Sequence, residues 1–156
     1  MALYLIENRR RAHPLVLHDQ HPAAERGLQR TIESSLKEIF DVRFVGSEVR
    51  CGNGRADTLG LDEDGNPVVI EYKRGRDDKV VVQALSYVAW ISEHREEFEN
   101  HVRAALGETP VIWDTPRVIV VAASFNEYDV RASSQYRADV MMMEHRFYSQ
   151  AFDASA

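Results

Sequence analysis

One cysteine, Cys51, occurs in the 156 residues, which excludes an internal disulfide and any cysteine-based zinc cluster. That scarcity suits a reducing compartment, so a cytoplasmic location is expected. No apolar run approaches the roughly 20 residues needed to span a bilayer. The start, Met1-Ala-Leu-Tyr-Leu-Ile-Glu7, is too short and lacks the basic flank of a signal peptide. No membrane partner is expected. Basic charge is also in deficit: 19 Lys and Arg stand against 25 Asp and Glu, giving a net charge of -6. A protein that coats nucleic acid indiscriminately relies on clustered Lys and Arg, so that class is disfavoured. Internal repeats and low-complexity linkers are absent as well.

What remains is the composition of an ordinary globular chain, 44% hydrophobic and 28% charged, about the size of one domain. Charge is unevenly spread. Basic residues gather at Arg9-Arg10-Arg11 and between Lys73 and Lys79, acids at Asp62-Glu63-Asp64 and from Glu93 to Glu99. A bound cation would neutralise some carboxylates locally, so the acidic balance leaves room for a phosphodiester substrate.

Residues 1–22 read as an N-terminal arm of strand and loop, because Pro14 and Pro22 oppose a continuous helix. A domain is expected over 23–150, with a tail at 151–156. From 23 to 40, Leu28, Ile32, Leu36, Ile39 and Phe40 recur at helical spacing. Strands follow over 41–49, 55–62 and 67–74, the last two joined by a turn at Asp64-Gly65. Asp77-Asp78 would cap a helix over 79–101, with Val81, Leu85, Val88 and Ala89 on one side and Gln83, Tyr87, Trp90 and His94 on the other. After Pro116, the apolar run 117–123 predicts a strand buried on both faces. A helix over 127–136 and a strand over 139–148 close the order α-β-β-β-α-β-α-β. Such an order indicates an α/β domain with a mixed sheet flanked by helices.

The segment from Arg55 to Arg74 carries the chemistry. Glu71 and Lys73, two apart on one strand, share a face, and the turn folds Asp57 back toward them. Two carboxylates held close raise each other's pKa unless a cation lies between them, so the grouping reads as a site for a hard divalent metal. Taken by itself, Glu71-Tyr72-Lys73-Arg74 would also fit a solvated edge strand with a cross-strand ion pair to Asp57 or Arg55.

Asp57, thirteen intervening residues, Glu71-Tyr72-Lys73, and a following helix with Gln83-Ala-Leu-Ser-Tyr87 together resemble the PD-(D/E)XK nuclease superfamily, and within it the NucS-like endonuclease branch. The likeness covers about residues 23–150. It implies a restriction-endonuclease-like core and a metal-dependent nuclease acting on DNA. RNA stays open, because the chemistry does not separate the two. The resemblance implies Mg²⁺ or Mn²⁺ held by Asp57 and Glu71 with the backbone carbonyl of Tyr72. Glu33, on the first helix, would reach the metal directly or through water. Lys73 would orient or deprotonate the attacking water and stabilise the developing charge. Gln83 and Tyr87 match the Gln-x-x-x-Tyr motif and would position the catalytic strand or contact the DNA backbone. Arg55, Arg74, Arg76 and Lys79 are candidate phosphate contacts. A homodimer, or a partner protein supplying specificity, is compatible with this reading. The alternative is a non-catalytic nucleic-acid- or protein-binding module that retains the nuclease fold.

Other clusters carry less. His13, His18 and His21 fit no zinc-ligand spacing. His94 and Trp90 read as packing, and Met141-Met142-Met143 as a strand alternating between core and surface.

Overall fold

Leu28, Ile32 and Leu36, spaced for one face of a helix, are all buried, yet the helix that carries them is interrupted. In the computed structural model, which describes residues 15–16, 25–73, 79–145 and 149–150, it forms two pieces, α1 (Glu25–Glu33) and α2 (Leu36–Phe40). The single helix expected over 23–40 breaks at Ser34-Ser35. There the Ser34 hydroxyl donates to the Thr31 carbonyl at 2.8 Å, and Ser35 leaves helical geometry with φ -135° and ψ 25°. Serine offers the backbone this local alternative, which is why it weakens helix interiors.

Leu15–Val16 (β1) pairs antiparallel with Ser149–Gln150 (β7) as a two-stranded ribbon. The main sheet contains β2 (Val42–Cys51), β3 (Gly54–Asp62), β4 (Pro67–Lys73), β5 (Arg117–Ala122) and β6 (Asp139–Glu144) in that spatial order. From β2 to β4 the neighbours are antiparallel, and from β4 to β6 they are parallel. The sheet is therefore mixed, as the order of elements indicated. The β3–β4 turn closes where expected. Gly65 supplies a left-handed φ of 87°, while the Asp62 carboxylate accepts the Asn66 N–H at 2.8 Å. The last strand, expected to reach 148, ends at Glu144; residues 146–148 lie outside the described set.

Helices cover both faces. Val68, Ile70, Tyr72, Ile119 and Val121 pack with Leu28, Ile32 and Leu36, whereas Val69, Val118 and Val120 pack with the helix that follows β4. That helix also differs from the expected 79–101. It is α3 (Val80–Glu93), broken at His94, with α4 (Arg95–Leu106) continuing beyond. The capping residues Asp77-Asp78 lie outside the described residues, and Lys79 stands at the N-cap without a side-chain cap bond. The buried stripe of α3 is Val80, Val81, Ala84, Tyr87, Val88 and Ile91. Tyr87 was expected opposite Val81 and Val88, and Ala89 beside them; instead Tyr87 turns inward and Ala89 is exposed. A helix this apolar has no single face that sequence periodicity can select, so the sheet beneath it decides. The helix α5 (Glu127–Ser133) is shorter than the expected 127–136 and begins with a capping box between Asn126 and Asp129. Among the described residues, no helix is long and apolar enough to cross a membrane.

Candidate active site

The ladder between β3 and β4 pairs Thr58 with Ile70 and goes no further toward the C-terminal end of β4. Continued by one step it would pair Asp57 with Glu71, but at that point side chains replace backbone partners. The Glu71 Oε1 accepts the Asp57 N–H at 2.9 Å, and the Asp57 Oδ2 accepts the Tyr72 N–H at 3.0 Å. The strands separate and each carboxylate satisfies the other strand's amide. Glu71 and Lys73 project from the same side of β4 as Val69, the side covered by α3. Lys73 lies close enough to act electrostatically on both acids.

Burial and neighbouring negative charge dominate the electrostatics. Glu71 is 1% exposed, and burial followed by the Asp57 charge pushes its carboxyl up to about 8. Asp57 also moves upward, from burial first and then from the Glu48 charge, against the Tyr72 amide and Lys73, which favour its ionised form. Buried Glu71 beside the Asp57 charge, and half-buried Asp57 beside the Glu48 charge, are both held from ionising, and a cation would stabilise both charges. Among the described residues no three His, Cys, Asp or Glu side chains converge tightly enough to hold an ion alone. Mg²⁺ commonly takes one or two carboxylates and completes its shell with water and substrate phosphate, so the donor set fits.

Gln83 and Tyr87, four apart on α3, join the site through the backbone. The Tyr87 hydroxyl accepts from Gln83 Nε2 at 2.9 Å and from the Arg55 N–H at 3.2 Å. It thereby fixes β3 two residues before Asp57. The close approach requires glycine at 54, since a Cβ there would lie 2.5 Å from the Tyr87 hydroxyl and 2.7 Å from its ring. Glu33 joins from the other face of the sheet. Its Oε1 accepts from the Thr58 hydroxyl at 2.5 Å and from Gln29 Nε2 at 3.0 Å, which leaves the Thr58 oxygen to accept from the buried Tyr72 hydroxyl 3.1 Å away.

The remaining candidates stand apart. The Arg55 side chain is exposed and pairs with Glu48 at 3.9 Å, and Lys79 is exposed at the start of α3. Arg74 and Arg76 lie outside the described residues, as do His13, His18, His21 and Arg9 to Arg11. His94 stacks on Trp90 with centroids 4.1 Å apart, and its Nδ1 lies 2.8 Å from the Trp90 carbonyl at the helix break. Met142 and Met143 pack on opposite faces of the sheet while Met141 is exposed.

Sequence reading missed three residues at the site. Gln29 lies beneath Asp57. Glu48, on β2, has a left-handed φ of 55° and neighbours Asp57 across the strands, where Ser47 and Val49 pair with Thr58 and Ala56. His145 follows β6; its ring lies against the Lys73 backbone, and burial lowers its pKa. The pairing of Ile32-Glu33 with a buried helix face gave a signal for Gln29, four residues before Glu33. Nothing local marks Glu48 or His145.

The α/β class with a mixed sheet and paired acids at a strand divergence is now defined by the geometry. No family model matches the chain. It is 31% identical over 123 residues to an uncharacterized protein of Haemophilus influenzae, covering 76% of this chain and 41% of that protein. It is 45% identical over 65 residues to Endonuclease NucS of Methanopyrus kandleri, covering 41% of this chain and 24% of that protein. A crystal structure of a repair endonuclease from Pyrococcus abyssi aligns with a TM-score of 0.48 at 22% identity, over 81% of this chain and 50% of that chain. The chain spans less than half the length of these two curated relatives.

Proposed function

We propose that the chain is a metal-dependent nuclease of the PD-(D/E)XK type that hydrolyses phosphodiester bonds in DNA. One observation carries the reading: Asp57 and Glu71 meet where β3 leaves β4, each holding the other strand's amide, with Lys73 beside them. Similarity to proteins named Endonuclease NucS supports the same class.

Asp57 and Glu71 would hold Mg²⁺ or Mn²⁺ together with the Tyr72 carbonyl. When bound, the metal polarises the scissile phosphate and acidifies a water. Glu33 receives Thr58 and Gln29 at its Oε1 and would reach the cation directly or through water. Lys73 orients the attacking water or takes its proton, and donates to the charge that develops on the phosphorane oxygens. Gln83 and Tyr87 keep β3 in register with α3, so that Asp57 is held before substrate arrives. Arg55, Arg74, Arg76 and Lys79 would contact backbone phosphates.

The test is direct. Labelled single-stranded, duplex, flap, mismatched and RNA substrates are incubated with Mg²⁺ or Mn²⁺ and the purified chain, beside Asp57→Ala and Lys73→Ala. Cleavage of a DNA substrate by the unaltered chain, lost in both variants, is expected. Cleavage that persists in both variants would sink the assignment.

A further inference from the structure

Asp57 is held at every backbone group it offers, and one of those holds comes from α1. Its N–H goes to Glu71, its carboxylate receives Tyr72, and its carbonyl accepts Gln29 Nε2 at 2.8 Å. Gln29 is only 6% exposed. The same nitrogen lies 3.0 Å from the Glu33 Oε1 and 3.0 Å from the Ser47 hydroxyl. Three strands and helices therefore meet at one amide: α1 through Gln29 and Glu33, β2 through Ser47, and β3 through Asp57.

The chemistry fixes which way the amide points. A main-chain carbonyl and a carboxylate oxygen only accept, so the nitrogen and not the oxygen of Gln29 must face them. An apolar residue of the same size would leave the Asp57 carbonyl without its partner inside the protein, and a glutamate would set an acceptor against acceptors. Hydrophobic periodicity alone would put any apolar residue at position 29, beside Leu28 and Ile32. A buried glutamine there is accounted for by what it holds.

We infer that Gln29 is a positioning residue for the cation site: it sets the Asp57 carboxylate by holding the Asp57 carbonyl, so α1 belongs to the site although it lies on the opposite face of the sheet from α3. The inference rests on the metal-site reading for its consequence, but its geometric part stands apart from that reading. Partners that orient a metal ligand typically change affinity roughly 10- to 100-fold when removed.

Two measurements on the full chain test it. Amide hydrogen exchange without metal, resolved by residue, follows Asp57 and Tyr72 against the β5 amides of Val118 to Val121. In Gln29→Leu, exchange at Asp57 and Tyr72 is expected to rise roughly tenfold relative to β5. Calorimetry with Mn²⁺ is expected to show affinity roughly tenfold weaker than in the unaltered chain. Gln29→Asn keeps an amide but stops one methylene short of Asp57, and it serves the same test if the leucine variant does not fold. Exchange at Asp57 and Tyr72 unchanged relative to β5 overturns the inference. If the unaltered chain binds no Mn²⁺, the metal-site reading fails while the exchange data still decide whether Gln29 positions Asp57.

Discussion

Asp57 and Glu71 exchange hydrogen bonds across the gap where β3 and β4 part: the Glu71 carboxylate takes the Asp57 N–H, and the Asp57 carboxylate takes the Tyr72 N–H. A ladder bond would have satisfied the same amides without charge. Using carboxylates for the task places two acids together at the strand divergence, partly shielded from water. The arrangement predisposes the site to a cation, and the neighbouring residues can be read by how they maintain it.

Removing one acid should therefore act on binding and chemistry together. Glu71→Gln keeps the bond from the Asp57 N–H, since its amide oxygen still accepts, but loses the charge. Mn²⁺ affinity measured by calorimetry is expected to fall, and cleavage to drop by roughly a hundredfold or more. EDTA should abolish cleavage by the unaltered chain, with excess Mg²⁺ or Mn²⁺ restoring it.

The pH dependence of stability has a definite sign. Glu71 has an ordinary value of 4.5 and is raised to about 8 by burial and the Asp57 charge. Between those values the folded chain binds more protons than the unfolded one, so stability falls as pH rises through the window. The contribution is fully present below 4.5 and lost above about 8. Thermal melts of metal-free protein should show this fall, and Glu71→Gln should flatten it. An equally steep fall in that variant would place the responsible group elsewhere.

Tyr87→Phe leaves the Arg55 N–H and the Gln83 amide without their shared acceptor. A loss of about 1–3 kcal/mol is expected by denaturant titration. Because the hydroxyl holds the strand and not the substrate, kcat should fall more than KM rises.

Gly54→Ala tests the close contact with the same ring. The new Cβ would lie 2.5 Å from the Tyr87 hydroxyl and 2.7 Å from a ring carbon, so the β2–β3 turn or the ring must move. The expected destabilisation is about 1–3 kcal/mol. Combining it with Tyr87→Ala should restore part of that loss, and a melt showing no such coupling would argue that the turn yields freely.

Glu48 carries a left-handed φ of 55° and faces Asp57 across β2 and β3. Glu48→Asn tolerates that conformation better and removes a like charge. Metal-free protein is expected to gain up to about 1 kcal/mol of stability, read from thermal melts. The exposed pair with Arg55 offsets little of this.

Much of the fold was legible locally. Strands β3 and β4 and their turn follow from two apolar runs around Asp64-Gly65, and β5 from an unbroken run of Val, Ile and Ala. Helix ends were less legible. Ser34-Ser35 and His94 each interrupt a helix that periodicity carries straight through, because periodicity reports which side is apolar and not where the backbone finds other partners.

At the site, the sequence by itself determined the grouping of Asp57, Glu71 and Lys73. Alternation along one strand and a tight turn to the next depend only on neighbouring residues, so spacing sufficed. It also set Gln83 and Tyr87 one helical turn apart. Only the tertiary structure decided that Tyr87 faces inward onto Gly54, that Gln29 on α1 reaches the Asp57 carbonyl, that Glu48 lies beside Asp57, and that His145 lies against the Lys73 backbone. Each depends on contacts between elements far apart in the chain. How α1, α3, β2 and β6 seat on the sheet is selected by packing on its two faces, and no local pattern encodes that choice.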